Sequence, residues 1–309
     1  MRVFVAGGSG AIGRVLVPRL IAAGHEVAAT TRSAAKATLL ESLGANAMVL
    51  DALDEPAVRS AVKAFRPDAV MNQLTSLPRR YNPRRLGPWY GATSRLRVAG
   101  TRALLGAAAD AGTKRFVYQS IAFMYALAGP PVVDETAPLA LDAPEPFGGA
   151  AVATLEGERM TTSADGIVGV VLRYGQLYGP GTYFARDGDF ARQARNRMLP
   201  IVGGGGGVFS FLHVDDAATS AIAALERGSG VYNIADDEPA PGREWIPAFC
   251  AENGAPEPWR VPTWLVRIAA GDFAAQLLTK GRGASNAKAK RELSWFPSRP
   301  TWRAGFLAP

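Results

Sequence analysis

Histidine and cysteine are almost missing from this 309-residue chain, which has two of the first, His25 and His213, and one of the second, Cys250. A lone cysteine excludes both an intrachain disulfide and a thiolate-based metal cluster. Two histidines so far apart offer no visible ligand set, and no metal is expected. Long apolar runs are lacking too. The run beginning at Val3 follows only Arg2 and is too short for a signal peptide, and no later stretch stays uncharged long enough to span a bilayer. A cytoplasmic protein with no membrane partner is the expectation. The formal charge is +7, but the basic residues are scattered apart from one run, so nucleic acid is not an expected partner. What is present, 48% hydrophobic and 20% charged residues, excludes disorder. The length suits one large α/β domain or two smaller ones sharing a cleft.

Short apolar runs alternate with helix-like stretches, which predicts a parallel sheet covered on both faces. The strand candidates are Val3 to Ala6, Glu26 to Thr30, Ala47 to Leu50, Ala69 to Asn72, Phe116 to Gln119, Val168 to Leu172 and Val231 to Ile234. Between the first two, Ile12, Val15, Leu16, Leu20 and Ala23 recur at spacings of three and four, and Gly24 ends the helix they define. Pro18 forfeits a backbone donor inside it, a cost of roughly 3 kcal/mol in an ideal helix, so a kink or an early proline placement is expected. After Tyr178 the texture turns to glycine, proline and tryptophan, returns to sheet-like sequence near Val231, and changes again from Asp236. The expected fold is therefore α/β, a Rossmann-type doubly wound parallel sheet with a smaller carboxy-terminal lobe. Residues 1–178 and 211–235 would bind a dinucleotide, and residues 179–210 and 236–309 a substrate.

The first chemical signal is "VFVAGGSGAIG", where Gly7, Gly10 and Gly13 follow a strand and open a helix. Gly7 permits a tight turn, Gly10 lets the backbone approach a pyrophosphate, and Gly13 lets helix and strand pack closely. The free N–H groups of the helix terminus face anionic oxygens. Ser9 and Ile12 belong to the same expected cofactor contact. An NAD site usually ends the second strand with a carboxylate for the ribose hydroxyls, whereas here "VAATTRSAAK" supplies Arg32. A guanidinium attracts a 2′-phosphate that a carboxylate repels, so Arg32, with Ser33 and Lys36, argues for NADP over NAD. Asp51, followed by Ala52, is placed to accept from the adenine amino group; a helix cap is the other reading.

These residues resemble the extended short-chain dehydrogenase/reductases, which include the NAD-dependent epimerase/dehydratase group. The resemblance covers nearly the whole chain. It rests on "GGSGAIG", "VAGTRALLGAA" at Val98, "RFVYQS" at Arg115, "VVLRYGQLYGPG" at Val170, "FLHVDDAA" at Phe211, "YNIADDEP" at Tyr232 and "AKAKRELSWFP" at Ala287. It implies a Rossmann domain carrying the cofactor, with Leu74, Ser120 and Tyr174 among its contacts, and a lobe closing over a small-molecule substrate. A homodimer is a possible assembly.

One departure from the family stands out. The helix after the fifth strand ordinarily carries a Tyr-x-x-x-Lys pair, but "FGGAAVATLEGE" places Ala150 and Thr154 there when Glu158 sets the register, or Phe147 and Ala151 in a shifted one. Neither register supplies a proton. In relatives the ammonium lowers the phenol pKa so that a proton can reach the substrate oxygen, help worth on the order of 10² to 10⁴ in rate. Supporting positions differ as well: Ile121 stands at the expected serine, with Ser120 one place early, and Arg97 at the expected asparagine. Phe209 replaces the arginine with which nucleotide-sugar enzymes of the family hold a diphosphate, which argues against such a substrate.

Tyr125 is the first candidate to replace the proton donor, followed by Tyr178 and His213, with Tyr174 in the same region. Each also has a structural reading, as a packed tyrosine or an interlobe hydrogen bond. Asp215 and Asp216 read as helix caps. Arg79, Arg80, Arg84, Arg85, Arg95, Arg97 and Arg102 form the basic run, either an electropositive wall for an anionic substrate or, for most of them, a solvated face or subunit contact. Tyr81, Trp89 and Tyr90 among them fit a substrate lid more simply than a single-strand nucleic-acid surface. Trp245, Trp259, Trp264 and Phe273 suggest a largely apolar pocket or an ordinary core. The leading functional expectation is an NADP(H)-binding oxidoreductase acting on a small organic carbonyl or alcohol with a non-standard proton donor. A redox-neutral lyase, isomerase or cyclase, and a non-catalytic NADP(H) sensor, are the alternatives.

Overall fold

All seven expected strands join one parallel sheet in the computed structural model, which describes residues 1–78, 80–82 and 86–307. They are β1 (Arg2–Ala6), β2 (Glu26–Thr31), β3 (Asn46–Val49), β4 (Ala69–Asn72), β5 (Arg115–Ile121), β6 (Val168–Tyr174) and β7 (Gly230–Ile234), in the order β7-β6-β5-β4-β1-β2-β3. The order reverses between β1 and β4. In an open α/β sheet, that switch point is where a crevice opens at the carboxyl ends of the strands.

Alternation along each strand builds two cores. Val3 and Val5 of β1 pack with Leu16, Val17 and Leu20 of α1 (Gly13–Ala22) on one face, while Phe4 packs with Val58, Val62 and Leu104 on the other. Burying each such side chain contributes roughly 2 kcal/mol. Helix α1 runs on through Pro18 and ends at Ala22, with Gly24 in the left-handed region at φ +82°. Helices α2 (Ala34–Ser42) and α3 (Glu55–Phe65) follow β2 and β3. After β4, α4 (Leu86–Arg95) passes through one π-helical turn, Leu96–Gly100, into α5 (Thr101–Asp110). Helix α6 (Phe147–Thr162) joins β5 to β6, and α8 (Val214–Glu226) precedes β7, with α7 (Asp189–Arg195) between.

A third core is built around aromatic rings. Tyr178, Phe184, Phe211, Trp245, Phe249, Trp302 and Phe306 meet at centroid separations such as 5.4 Å for Phe184–Phe249 and 5.0 Å for Phe211–Phe306. The four late aromatics therefore have different fates. Trp245 is buried here, Trp259 and Trp264 are exposed, and the ring of Phe273 lies 5.0 Å from that of Phe147 at the start of α6, tilted by 47°.

Candidate functional site

The glycine loop between β1 and α1 is shaped by two kinds of constraint. A Cβ on Gly13 would lie 2.4 Å from the Gly8 carbonyl oxygen, and one on Gly7, at φ +89°, 2.7 Å from that of Gln73. Those two positions are glycine because the chain packs against itself. A Cβ on Gly10 would meet only the Gly7 carbonyl, at 3.3 Å, and otherwise open space. Among the described residues no backbone oxygen outside the regular elements accepts from the N–H of Ala11 or Ile12, which leaves two donors untaken at the terminus of α1. Ser9 holds the loop to β2 through a 2.9 Å contact between its Oγ and Thr31 Oγ1. Ile12 itself is buried in the core.

At the end of β2, Arg32 is exposed and no described group engages its guanidinium, and Ser33 begins α2 without a side-chain cap bond. Asp51 accepts the Leu53 N–H at 3.0 Å in a local turn, while the cap of α3 is Asp54, which accepts from Ala57. Ala52 and Leu74 come together over Gly100, with the Leu74 Cδ1 3.5 Å from where a Cβ would stand. Ser120 and Tyr174 are turned inward instead. The Ser120 hydroxyl donates to Glu158 at 2.6 Å, and the fully buried Tyr174 hydroxyl faces the Ala217 carbonyl at 3.4 Å. Their side chains are spent on the core, which removes both as side-chain cofactor ligands.

Glu158 ties α6 to the sheet. Arg173 of β6 grips it with two bonds, Nε to Oε1 at 2.8 Å and Nη2 to Oε2 at 2.6 Å, both side chains being about as buried as any charge in the molecule. Ala150 and Thr154 lie eight and four residues before Glu158, at the places that the resemblance gives to the pair when that residue sets the register. Thr154 is sealed: it is fully buried, donates to the Ala150 carbonyl at 2.7 Å, and accepts from Arg97 Nη1 at 2.8 Å. Gly157 lets the π-turn come this close, since a Cβ there would stand 2.4 Å from the Tyr118 hydroxyl and 3.1 Å from the Arg97 carbonyl.

Arg97 therefore departs from the solvated-face reading of the basic run. It is 6% exposed, while Arg80, Arg95 and Arg102 are exposed and Arg79, Arg84 and Arg85 lie outside the described residues. Burial lowers its pKa, opposed by Tyr118, Tyr90 and Glu158. Beside it, α4 and α6 border a groove of about 450 Å³ lined by Tyr90, Ser94, Pro146, Gly149 and Ala150. Burial raises the Tyr90 phenol pKa, and Arg97 opposes that shift. The stretch ahead of α4 packs against α7 and the segment before it, with Tyr81 5.6 Å from Phe190 and the Tyr183 hydroxyl donating to the Pro78 carbonyl at 2.6 Å.

The three residues expected to replace the proton donor are not brought together on that groove. Tyr125 is 2% exposed, donates to Asn233 Oδ1 at 2.6 Å and accepts from Arg173 at 3.0 Å, so its phenol is consumed by the buried network around Glu158. Tyr178 lies in the aromatic core between His213 and Phe306, with its pKa raised by burial. His213 Nδ1 accepts from Asp215 N–H at 3.2 Å and is itself the cap of α8, and burial keeps the ring neutral by lowering its pKa. Asp216 tethers the carboxy-terminal segment through Ser298 and the Arg299 N–H. Tyr125→Phe is expected to lower stability by about 1–2 kcal/mol, the cost of leaving Arg173 and Asn233 each one partner short, and to leave kcat within about twofold. Denaturant melts and turnover rates check both.

A family description, NAD-dependent epimerase/dehydratase, matches residues 3–235. The chain belongs to that family. Over 308 residues it is 47% identical to a 3-diazoavenalumate denitrifying reductase from a Streptomyces species, covering 99% of each chain. A 2-alkyl-3-oxoalkanoate reductase of Stenotrophomonas maltophilia is 30% identical over 83% of this chain and 77% of its own. Among solved structures, a human epimerase-family protein with NADPH superposes with a TM-score of 0.73 over 99% and 98% of the two chains at 23% identity, a likeness of fold. The family fold, an NAD(P)-type cofactor and kinship with named reductases are thus in hand.

Proposed function

We propose that this protein is an NADPH-dependent reductase that delivers hydride to an acceptor requiring no proton from the enzyme, and that a diazo group on a conjugated aromatic acid is the acceptor class it fits best. One observation carries the reading. Alanine and a sealed threonine stand where the proton pair would stand, in a chain 47% identical over its whole length to a reductase named for removing nitrogen from a diazo compound.

The residues present fit the dinucleotide. The open face of Gly10 and the unclaimed N–H groups of Ala11 and Ile12 would hold the pyrophosphate, Arg32 and Ser33 the 2′-phosphate, and Asp51 the adenine amino group, with Ala52 and Leu74 alongside. When bound, NADPH supplies a hydride. A carbonyl that takes up hydride becomes an alkoxide and needs a proton, which is where a tyrosine–lysine pair contributes on the order of 10² to 10⁴ in rate. An arenediazonium that takes up hydride balances without one: the carbon–nitrogen bond breaks, a carbon–hydrogen bond forms, and dinitrogen leaves. Such a reaction does not need the proton that the pair would supply.

With NADPH and a diazotised aminohydroxycinnamate, one dinitrogen released per NADPH oxidised is the expected stoichiometry. Oxidation of NADPH by simple ketones without gas release would overturn the reading. That outcome would favour a carbonyl reductase using Tyr90, the phenol that lines the groove beside Ala150, and Tyr90→Phe would then lower kcat. Arg32→Glu is expected to weaken NADPH relative to NADH by roughly 10- to 100-fold, the value of a charge-assisted phosphate contact. Titrating both dinucleotides against wild type and variant measures it.

A further inference from the structure

We propose that Arg97 is the receptor for an anionic oxygen of the substrate, a phenolate or a carboxylate conjugated with the reacting ring; this rests on the reductase reading and names what part of the substrate the site grasps.

The guanidinium has five N–H donors, and the described contacts account for one, to the neutral Thr154 hydroxyl. No carboxylate lies within ion-pair distance of it among the described residues. Glu158, the acid that it feels, already has Oε1 taken by Arg173 and Ser120 and Oε2 by Arg173. A buried cation without a counter-charge is costly unless something else completes it. The other side chains around it are neutral hydroxyls. The Tyr118 hydroxyl is buried with no partner, and the other charge-coupled neighbour, Tyr90, is a phenol that burial keeps protonated. What this corner lacks is an acceptor that carries negative charge.

The backbone aims the residue there. Arg97 sits in the π-turn, where one extra residue rotates the helix by about 100° relative to an unbroken α-helix. Its Nη1 reaches the Thr154 hydroxyl of α6 at 2.8 Å, on the side where Tyr90, seven residues earlier, packs 5.6 Å from Phe147. Arg97 follows Ser94 by three residues and Thr154 follows Ala150 by four, so their contact lies one turn beyond the groove lining on both helices. Both helices start from the carboxyl edge of the sheet, the side on which ligands bind in such folds. A planar guanidinium can take a carboxylate or phenolate through two parallel bonds.

The test uses the full chain saturated with NADP⁺ and three nitrogen-free probes that cannot turn over: 4-hydroxycinnamate, 4-methoxycinnamate and methyl 4-hydroxycinnamate. Calorimetry should show 4-hydroxycinnamate binding, with Arg97→Met weakening it roughly 30-fold or more and Arg97→Lys restoring part of the loss. Loss with the methoxy probe assigns the phenolate, and loss with the ester assigns the carboxylate. NADP⁺ affinity should not change, and the ligand-free melting temperature of Arg97→Met should not fall, because an unpaired buried charge has been removed. Failure of all three probes to bind wild type, equal binding by Arg97→Met, or a clear drop in its melting temperature would each overturn the proposal. Since no probe carries a diazo group, these outcomes are independent of whether dinitrogen is ever released.

Discussion

Gly10→Glu is expected to abolish dinucleotide binding while leaving a folded protein. The two halves of that result come from one geometric fact, that a Cβ at Gly10 meets a single backbone oxygen at 3.3 Å and then open space. Once the loop gives by a few tenths of an ångström at that contact, the added side chain has room in the free protein. It would fill the volume that a pyrophosphate needs and bring a negative charge to it, so affinity for NADPH should fall more than about 100-fold, roughly 3 kcal/mol. Gly13→Ala provides the contrast, since its Cβ would collide with the Gly8 carbonyl at 2.4 Å and the damage would be to folding. Fluorescence titration with NADPH, alongside thermal melts of both variants, separates the two kinds of glycine.

Glu158→Ala is expected to have the largest effect on stability, about 3–5 kcal/mol, because it strands Arg173 as an uncompensated buried charge. The loss would spread. Ser120 loses its acceptor, and Arg173, freed on one side, no longer holds the Tyr125 hydroxyl that bonds to Asn233. Total stabilities of domains are about 5–15 kcal/mol, so partial unfolding at growth temperature is the expected phenotype. Replacing both members, as Glu158→Leu with Arg173→Met, should recover most of the loss, since a well-packed apolar pair avoids the desolvation cost. Urea melts of the single and double variants measure the difference, and a double variant as unstable as the single would contradict it.

The sheet was legible because parallel strands buried on both faces read as short, unbroken apolar runs, and all seven were found that way. Their ends were less so. β5 extends to Ile121 and β6 to Tyr174 because polar residues there are paired inside the protein, Ser120 and Arg173 both with Glu158, and such pairs leave no mark on local hydrophobicity. Tyr125 fits a proton donor by its place in the chain, but its hydroxyl is fixed by Asn233, 108 residues later, which periodicity cannot reveal.

Arg97 was obscured for a different reason. Composition groups it with exposed arginines, and its burial comes from a partner on another helix, Thr154, 57 residues later. Its spacing of seven from Tyr90, which would put both on one side of a helix, was the available signal. That α6 carries neither a tyrosine nor a lysine, by contrast, was plain from residue types alone.

The most direct measurement follows NADPH oxidation during reduction of the diazotised hydroxycinnamate, once with deuterium at the transferred C4 position and once in heavy water. Hydride transfer unaided by a protein proton should be slowed by the first substitution and not by the second. A rate that falls in heavy water with no effect of C4 deuteration would contradict it, showing that a proton from the protein or solvent limits turnover.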